Sequence, residues 1–422
     1  LTVVSATEFS LTWESPSDPN GVIIGYRIVW RIVKDDNDML VNSSVSQTRI
    51  IHRNSLSFQI DKLEPYSEYS VSLNAITNVG NGTQSNLTDR TKQSTPGIPD
   101  SVILTVVSAT EFNLTWKSPS DPNGVITGYR IVWRIVRDDN DMPVNNSVSQ
   151  TRIVHRNSLS FQIDKLQPYS EYSVSLNAIT IVGNGTQSNL TDRTKQSTPD
   201  IPDNVKLLSI NSSQLYLTWQ APEDPNGIIQ GYVVTWKKVI NDRDENEEIV
   251  ESALERSTTL ADVTSFTIRG LVPYSVYNVS LNAFTVAGNG TVVNKSNRTG
   301  ESIPGIPRNL SATNVSSTEL NVTWTEPLRR NGRLKDYTVY YRLVQYDNNT
   351  RVKNKTWESR KTTRTSLTLP GLEKYGLYEI QVSASTIAGD GNETAAREFR
   401  TDEDTPGSPR DLRASNVSST EL

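Results

Sequence analysis

The stretch SPSDPNGVI at residues 15–23 returns unchanged at residues 118–126. A close relative, APEDPNGII, occupies residues 221–229, and a more divergent version, EPLRRNGRL, occupies 326–334. Each copy follows a tryptophan, and the spacings are 103, 103 and 105 residues between Trp13, Trp116, Trp219 and Trp324. Solenoid repeats run about 20–50 residues, whereas a period near one hundred is the size of a whole domain with its own core. The chain is therefore predicted to be a row of similar domains.

The first two repeats are nearly identical. Residues 1–96 and 104–199 differ at nine positions. Most of these exchanges are polar or lie near turns, where substitutions cost little stability. We interpret the pair as the product of a recent duplication.

Composition excludes several classes of protein. Of the 422 residues 35% are apolar and 21% charged, and the formal net charge is −5, so no overall basic field for nucleic acid is expected. No apolar run is long enough to cross a bilayer, and the first residues lack the features of a signal peptide. The absence of cysteine excludes disulfides, thiolate nucleophiles and cysteine-based zinc sites.

Within each repeat the hydrophobic pattern is that of β-strands. In the second repeat Phe112, Leu114 and Trp116 alternate with polar residues, which is the period of a half-buried strand. The segments GYRIVW (128–133) and SFQI (160–163) are rich in β-branched and aromatic residues. Asp-Pro-Asn-Gly favours a tight reversal between the tryptophan strand and the strand that begins Gly-Tyr. Each repeat is predicted to be an all-β sandwich.

Three further motifs carry a resemblance to a known family. The segment LEPYSEY (63–69) recurs as LQPYSEY (166–172), LVPYSVY (271–277) and LEKYGLY (372–378). It resembles the tyrosine corner of immunoglobulin-like sandwiches. The following NVGNGT, IVGNGT, VAGNGT and IAGDGN resemble the loop between the last two strands of a fibronectin type III module. The junctions TPGIPD, TPDIPD, IPGIPR and TPGSPR resemble the linkers of tandem arrays of that module.

The resemblance implies tandem seven-stranded immunoglobulin-like (fibronectin type III) β-sandwiches in a linear rod. It also implies a core tryptophan in each module and a tyrosine corner at Tyr69, Tyr172, Tyr277 and Tyr378. The expected modules span 1–98 (truncated at its N-terminus), 99–201, 202–306 and 307–408, and 409–422 begins a truncated fifth module. The last dozen or so residues are expected to be loosely attached, because they have no partner strands.

The clearest functional signal is the motif Asn-x-Ser/Thr, the acceptor for N-glycosylation. It occurs at nineteen positions, where chance would give about seven. The acceptor asparagines are Asn42, Asn81, Asn86, Asn113, Asn145, Asn184, Asn189, Asn211, Asn278, Asn289, Asn294, Asn297, Asn309, Asn314, Asn321, Asn348, Asn354, Asn392 and Asn416. This excess predicts an extracellular chain, and the alternative is a cytosolic protein that is merely rich in serine and threonine.

Catalytic signals are weak. The two histidines, His52 and His155, occupy the same position in the duplicated repeats, and no catalytic or phosphate-binding motif is present. The acidic clusters at residues 35–38 and 138–141 lack the ligand spacing of a known calcium loop, so a solvated loop is the preferred interpretation. We expect no enzyme activity, no bound metal and no cofactor.

The fourth repeat carries a basic stripe. Arg351, Lys353 and Lys355 would share one face of a strand, whereas the third repeat has the acidic run DRDENEE at 242–248. One interpretation is a site for a polyanion such as a glycosaminoglycan. The preferred interpretation is a charged edge strand that discourages pairing between sheets.

The favoured function is an interaction and spacer array in the ectodomain of a single-pass adhesion or signalling receptor. Arrays with such linkers resemble those of receptor-type tyrosine phosphatases and of the sidekick and Dscam adhesion proteins. The expected partners are other cell-surface or matrix proteins, including further copies of the chain. The alternatives are a secreted matrix or aggregation protein, and spacer modules beside a catalytic domain such as a tyrosine phosphatase. Because the first two repeats are nearly identical, specific contacts are expected in the third and fourth.

Overall fold

The computed structural model describes residues 1–42, 45–239, 254–346, 350–353 and 356–413. Over these ranges the chain forms 32 strands and no helix, so the all-β prediction is confirmed. Each repeat contributes eight strands in the same order. We call the four sets module 1 (β1–β8), module 2 (β9–β16), module 3 (β17–β24) and module 4 (β25–β32).

The strands of the duplicated modules have nearly the same bounds. Module 1 contains β1 (Thr2–Val3), β2 (Phe9–Thr12), β3 (Gly25–Lys34), β4 (Gln47–His52), β5 (Ser57–Ile60), β6 (Glu68–Thr77), β7 (Gly80–Asn81) and β8 (Ser85–Arg90). Module 2 contains β9 (Asp100–Val106), β10 (Phe112–Lys117), β11 (Gly128–Arg137), β12 (Gln150–His155), β13 (Ser160–Ile163), β14 (Glu171–Thr180), β15 (Gly183–Asn184) and β16 (Ser188–Arg193).

The divergent modules repeat the pattern. Module 3 contains β17 (Asp203–Asn211), β18 (Gln214–Gln220), β19 (Gly231–Val239), β20 (Glu255–Leu260), β21 (Ser265–Ile268), β22 (Val276–Thr285), β23 (Gly288–Asn289) and β24 (Val293–Arg298). Module 4 contains β25 (Arg308–Ser316), β26 (Glu319–Thr325), β27 (Tyr337–Gln345), β28 (Glu358–Thr362), β29 (Ser366–Pro370), β30 (Leu377–Thr386), β31 (Gly389–Asp390) and β32 (Arg397–Arg400).

Each module consists of two antiparallel sheets. In module 2 a three-stranded sheet has the order β13-β10-β9, and a second sheet has the order β12-β11-β14, with β15 and β16 both paired to β14. The same orders recur in the other three modules. Because β15 and β16 pair with the same strand, they act as two pieces of one last strand. The eight segments therefore form the predicted seven-stranded sandwich.

The core lies between the two sheets, where alternate residues point inward. Phe112, Leu114 and Trp116 of β10 pack with Tyr129 and Ile131 of β11, and each is almost fully buried. Full burial of one such side chain contributes about 1.5–3 kcal/mol. Sandwich formation therefore follows from the alternating pattern.

The tryptophan of module 1 differs from its counterparts. Trp116 is 3% exposed, and Trp219 and Trp324 are similarly buried, whereas Trp13 is only partly buried.

The chain divides into two compact units. The first comprises residues 1–201 together with the loops 222–230 and 283–291, and the second comprises 202–221, 231–282 and the residues from 292 onward. Two loops of module 3 thus belong to the same unit as the residues that precede this module. The domain boundaries given above stay a prediction.

Candidate functional site: linker junctions and exposed sheet faces

A tyrosine hydroxyl fixes the turn before β14 in module 2. The backbone N–H of Gln167 donates to the hydroxyl of Tyr172 over 2.8 Å, and burial raises the pKa of this tyrosine. The equivalent bonds of 2.8–2.9 Å run from Glu64, Val272 and Glu373 to Tyr69, Tyr277 and Tyr378. A buried hydroxyl with a backbone donor satisfies both groups.

An arginine anchors the end of the last strand in every module. The guanidinium of Arg193 lies 4.7 Å from the ring centroid of Tyr169 and donates to the carbonyl of Tyr169 over 2.9 Å. The same stacking joins Arg90 to Tyr66, Arg298 to Tyr274 and Arg400 to Tyr375. The stacked and hydrogen-bonded arginine therefore holds the end of the last strand in place where the chain enters the linker.

The linker after module 1 lies between two loops of module 2, an arrangement that we call the linker clasp. In the first loop, Asn123 accepts from the N–H of Ser94 over 2.8 Å and donates through Nδ2 to the carbonyl of Thr95 over 3.1 Å. The N–H of Val125 in this loop donates to Oε1 of Gln93 over 3.1 Å. These hydrogen bonds satisfy polar groups of the linker backbone.

The second loop closes the clasp from the other side. The N–H of Thr186 donates to the carbonyl of Pro96 over 3.1 Å, and the hydroxyl of Thr180 donates to the carbonyl of Ser94 over 2.9 Å. A Cβ added to Gly185 would lie 2.3 Å from the same Pro96 carbonyl. The second glycine of Gly-Asn-Gly-Thr is therefore required for close approach of the linker rather than for its own backbone angles.

The clasp recurs at the next two junctions. Asn226 contacts Ser197 and Thr198 as Asn123 contacts Ser94 and Thr95, and Gly290 lies against the carbonyl of Pro199. In the third clasp the corresponding contacts are made by Asn331 and Gly391 with residues 302–304. The divergent loop EPLRRNGRL thus keeps the one residue pair, Asn-Gly, on which the clasp depends.

These contacts explain the recurrence of the turn. Pro122 and Pro225 are buried and the adjoining Asn123 and Asn226 are half-buried, whereas Pro19 and its neighbours in the identical stretch at 15–23 are exposed. The sequence predicted a corner of the sandwich and missed its second role, for which the signal was the repeat of Gln-Ser-Thr-Pro at 93–96 and 196–199, ahead of the second and third copies.

The acidic clusters lie at the junctions. Oδ2 of Asp36 accepts from the N–H of Asn123 over 2.9 Å, and Nδ2 of Asn37 donates to the carbonyl of Ser120 over 3.2 Å. Burial raises the pKa of Asp36, and Asp139 repeats both the contact and the pKa shift at Asn226. The described residues contain no group of three or more His, Asp or Glu side chains placed to hold a metal ion. The clusters are best understood as contacts between loops.

Each histidine is the last residue of a strand and precedes a turn. Nδ1 of His52 accepts from the N–H of Asn54 over 3.2 Å, and His155 accepts in the same way from Asn157. Both histidines are exposed. Their hydrogen bonds are those of turn residues.

The acceptor asparagines that the structure describes lie outside the core. Asn348, Asn354 and Asn416 fall outside the described residues. Within the described part of the chain none of the acceptors is buried, and those that are half-buried are Asn113, Asn278, Asn297 and Asn321. Nδ2 of Asn297 donates to the carbonyl of Leu207 over 2.8 Å, so this acceptor is held between β24 and β17. The remaining described acceptors are exposed.

The basic stripe of module 4 does not lie on a regular strand. Arg351 forms an isolated bridge with Gln345, Lys353 lies in a bend, and Lys355 falls outside the described residues. Residues 350–353 therefore do not form the strand that would place alternate side chains on one face. The next strand, β28, begins at Glu358. Arg351 and Lys353 are nonetheless exposed, so the polyanion site stays a prediction.

The sequence pattern of the fibronectin type III domain matches residues 1–91, 97–194, 200–298 and 305–400. The chain belongs to the fibronectin type III domain family. The described residues contain no helix with the length and apolar character that a membrane crossing requires.

Several relatives carry similar arrays. Phosphatidylinositol phosphatase PTPRQ of Homo sapiens is 32% identical over 84% of the chain. Receptor-type tyrosine-protein phosphatase F of Danio rerio is 30% identical over the whole chain, and cell adhesion molecule DSCAML1 of Mus musculus is 31% identical over 76%. The chain spans 14%, 21% and 15% of these proteins, respectively. The resemblance to arrays of receptor phosphatases and Dscam-type adhesion proteins is thus confirmed.

Proposed function

We propose that the chain is the extracellular interaction and spacer array of a single-pass adhesion or signalling receptor. The observation that carries the proposal is the combination of tandem fibronectin type III modules with acceptor asparagines that avoid the core. Relatives with similar arrays include a cell adhesion molecule and receptor-type phosphatases, of which the chain covers a small part. The array itself is proposed to be non-catalytic, with cell-surface or matrix proteins, including further copies of the chain, as partners.

The spacer role rests on the linker clasps. At each of the three clasps the linker backbone is hydrogen-bonded to two loops of the following module. A linker held in this way has few free backbone torsions, so it transmits position better than a flexible tether does. We place the module boundaries at 98/99, 201/202, 306/307 and 408/409, just before or within the proline-bounded linkers.

The proposal is tested by displaying the array on non-adherent cells through a membrane anchor. The control array replaces modules 3 and 4 with second copies of modules 1 and 2, which keeps the length and the duplicated clasp. The proposal predicts that both arrays reach the surface and that only the natural array supports attachment to cells or matrix. Equal attachment by the two arrays would show that the divergent modules carry no specific contact.

The glycosaminoglycan site on module 4 has a more limited basis. Arg351 and Lys353 are exposed, whereas Arg330 and Lys361 are engaged with Glu326 and Asp336. Charge reversal of Arg351, Lys353 and Lys355 should release the chain from immobilised heparin at lower salt. Unchanged heparin affinity would remove this site from the proposal.

A further inference from the structure

One outward-facing position of the three-stranded sheet distinguishes module 3 from the others. In module 2 Asn113 of β10 lies opposite Thr105 of β9, and in module 4 Asn321 of β26 lies opposite Thr313 of β25. Both asparagines are N-glycan acceptors. The corresponding pair in module 1 is Ser10 and Thr2. These three modules therefore present small polar residues, or a glycan, at this point.

Module 3 places an apolar pair at the same position. Tyr216 of β18 lies opposite Leu208 of β17. Their neighbours Leu215 and Leu217 are buried, so the pair points outward, and Leu208 is 55% exposed. Ile210 at the end of β17 is 53% exposed. Tyr216 is half-buried, so the apolar surface that is left in water comes mainly from Leu208 and Ile210.

The rest of this face is polar and carries one cation. Lys206 lies opposite Thr218 in the next outward row, and the third strand contributes Ser265 and Thr267. Lys206 is exposed. It is the one charged residue in the set formed by Lys206, Leu208, Tyr216, Thr218, Ser265 and Thr267. We call the surface formed by Lys206, Leu208, Tyr216 and their neighbours the Tyr216 face.

Acceptor asparagines occupy the opposite sheet of module 3 instead. Asn278 of β22 and Asn294 of β24 point outward, and their Oδ1 atoms accept from Ser296 and Ser280 over 2.5 and 2.6 Å. Glycans at these positions would cover the second sheet. On the first sheet of module 3 the acceptor Asn211 lies at the end of β17, but Tyr216 occupies the position that holds an acceptor in modules 2 and 4. An apolar pair at such an outward-facing position has the character of a protein interface.

We propose that the Tyr216 face of module 3 is a docking site for a protein surface that presents an apolar side chain beside a carboxylate. Tyr216 and Leu208 supply the apolar contact, and Lys206 supplies the charge that selects the carboxylate. This inference deepens the proposed function by naming the module and the chemistry of the partner. Its argument from glycans rests on the proposed extracellular function.

Charge complementarity decides against a second copy of the chain as the occupant. Two copies packed face to face would bring two Lys206 side chains into one small interface, and none of the outward residues named above is a carboxylate. Like charges placed together at an interface are unfavourable. A partner with Asp or Glu at the contact meets no such cost, so it is the occupant that the face fits.

The test uses a random peptide library displayed on phage and panned against the immobilised 422-residue chain produced in bacteria, which carries no N-glycans. The proposal predicts enrichment of peptides that combine Asp or Glu with a large apolar residue. The double variant Leu208→Thr/Tyr216→Ser, which gives module 3 the pair found in module 1, should lower the affinity for these peptides about tenfold. Lys206→Glu should act selectively on the acidic peptides.

A glycan provides the matched control. Because Thr218 already follows at the required spacing, Tyr216→Asn alone creates the acceptor Asn-Leu-Thr that module 2 carries at 113–115. In chain secreted from eukaryotic cells this variant should be glycosylated and should abolish peptide capture. Tyr216→Asn/Thr218→Ala keeps the asparagine without the acceptor, so it should bind like the Ser variant rather than lose all binding.

The outcomes separate the two proposals. If the chain still captures the peptides after Leu208→Thr/Tyr216→Ser and after glycosylation of the Tyr216→Asn variant, the docking site is wrong. The docking site is also wrong if the chain associates with itself and loses this association when Tyr216 is replaced. Selective capture by the bacterial chain, together with a secreted chain that acquires no glycans, would leave the docking site standing and contradict the extracellular assignment.

Discussion

Tyr337 of module 4 buries a hydroxyl that its counterparts hydrogen-bond. Tyr26 and Tyr129 lie 2.8 Å from the hydroxyls of Ser15 and Ser118, whereas Glu326 stands at the corresponding position in module 4. Among the described residues the Tyr337 hydroxyl has no hydrogen-bond partner. Burial, with the negative charge of Glu326 as a smaller cause, raises the pKa of Tyr337 to about 12.

This pKa predicts an alkaline sensitivity of module 4. Between about pH 10 and pH 12 the unfolded chain releases the tyrosine proton while the folded module keeps it, so stability is complete below pH 10 and falls as pH rises. Tyr337→Phe should remove this part of the pH dependence and leave stability near neutral pH unchanged or slightly higher. Calorimetry of the whole chain at pH 7 and pH 11 measures both effects. Tyr129→Phe is the control, because it loses a hydrogen bond and should destabilise module 2 at both pH values.

Glu301 gives a second prediction at the scale of one residue. Gln93 and Gln196 accept the backbone N–H of Val125 and Ile228, but the equivalent Glu301 packs against Gly332 with Oε2 buried and unpaired among the described residues. Glu301→Gln removes an unpaired carboxylate oxygen and should stabilise the third clasp by about 1 kcal/mol. Hydrogen exchange of the linker residues 302–305 reports the change.

The reciprocal substitution serves as the control for Glu301. Gln196→Glu should weaken the second clasp by a similar amount and speed exchange of residues 197–200. Faster exchange in the Glu301→Gln protein would show that the carboxylate has a favourable partner there.

At the scale of elements the clasp depends on close approach between a loop and a linker. Gly185→Ala would place a Cβ 2.3 Å from the carbonyl of Pro96, whereas Gly82→Ala in the corresponding loop of module 1, which differs only at Asn78, meets nothing closer than the carbonyl oxygen of Ala75 at 3.4 Å. The first substitution should open the clasp at a cost of about 1–3 kcal/mol, and the second should be nearly neutral. Exchange of the Ser94 and Thr186 amides measures the opening. Equal protection in both variants would show that the linker does not need this loop.

The elements themselves were largely predictable, because the alternation in FNLTWK and EYSVSLNA fixes which residues point inward. The pair of Leu and Tyr in LQPYSEY likewise indicated the corner at Tyr172. The clasp was not predictable from such patterns, since it depends on where a loop meets residues of another module. The strand expected to carry Arg351 and Lys353 does not form over residues 350–353, because alternating cations outside a strand can imitate its period.

At the scale of the whole molecule, four modules with one architecture differ in what they expose. Modules 1 and 2 repeat one surface almost unchanged, module 3 exposes the Tyr216 face, and module 4 exposes cations. Without cysteine the array depends on hydrophobic cores and on hydrogen-bonded linkers alone. This difference in exposed surface between the modules fits a spacer that carries its specific contacts in the divergent modules.

The most direct test of this account is site-resolved mass spectrometry of the chain secreted from eukaryotic cells, before and after enzymatic removal of N-glycans. The account predicts that glycans occupy the exposed acceptors and the outward-facing Asn113, Asn278, Asn294 and Asn321, and that Asn297, which is tied to Leu207, is empty. A chain that stays in the cytosol, or that is secreted with these outward asparagines unmodified, would contradict the extracellular assignment.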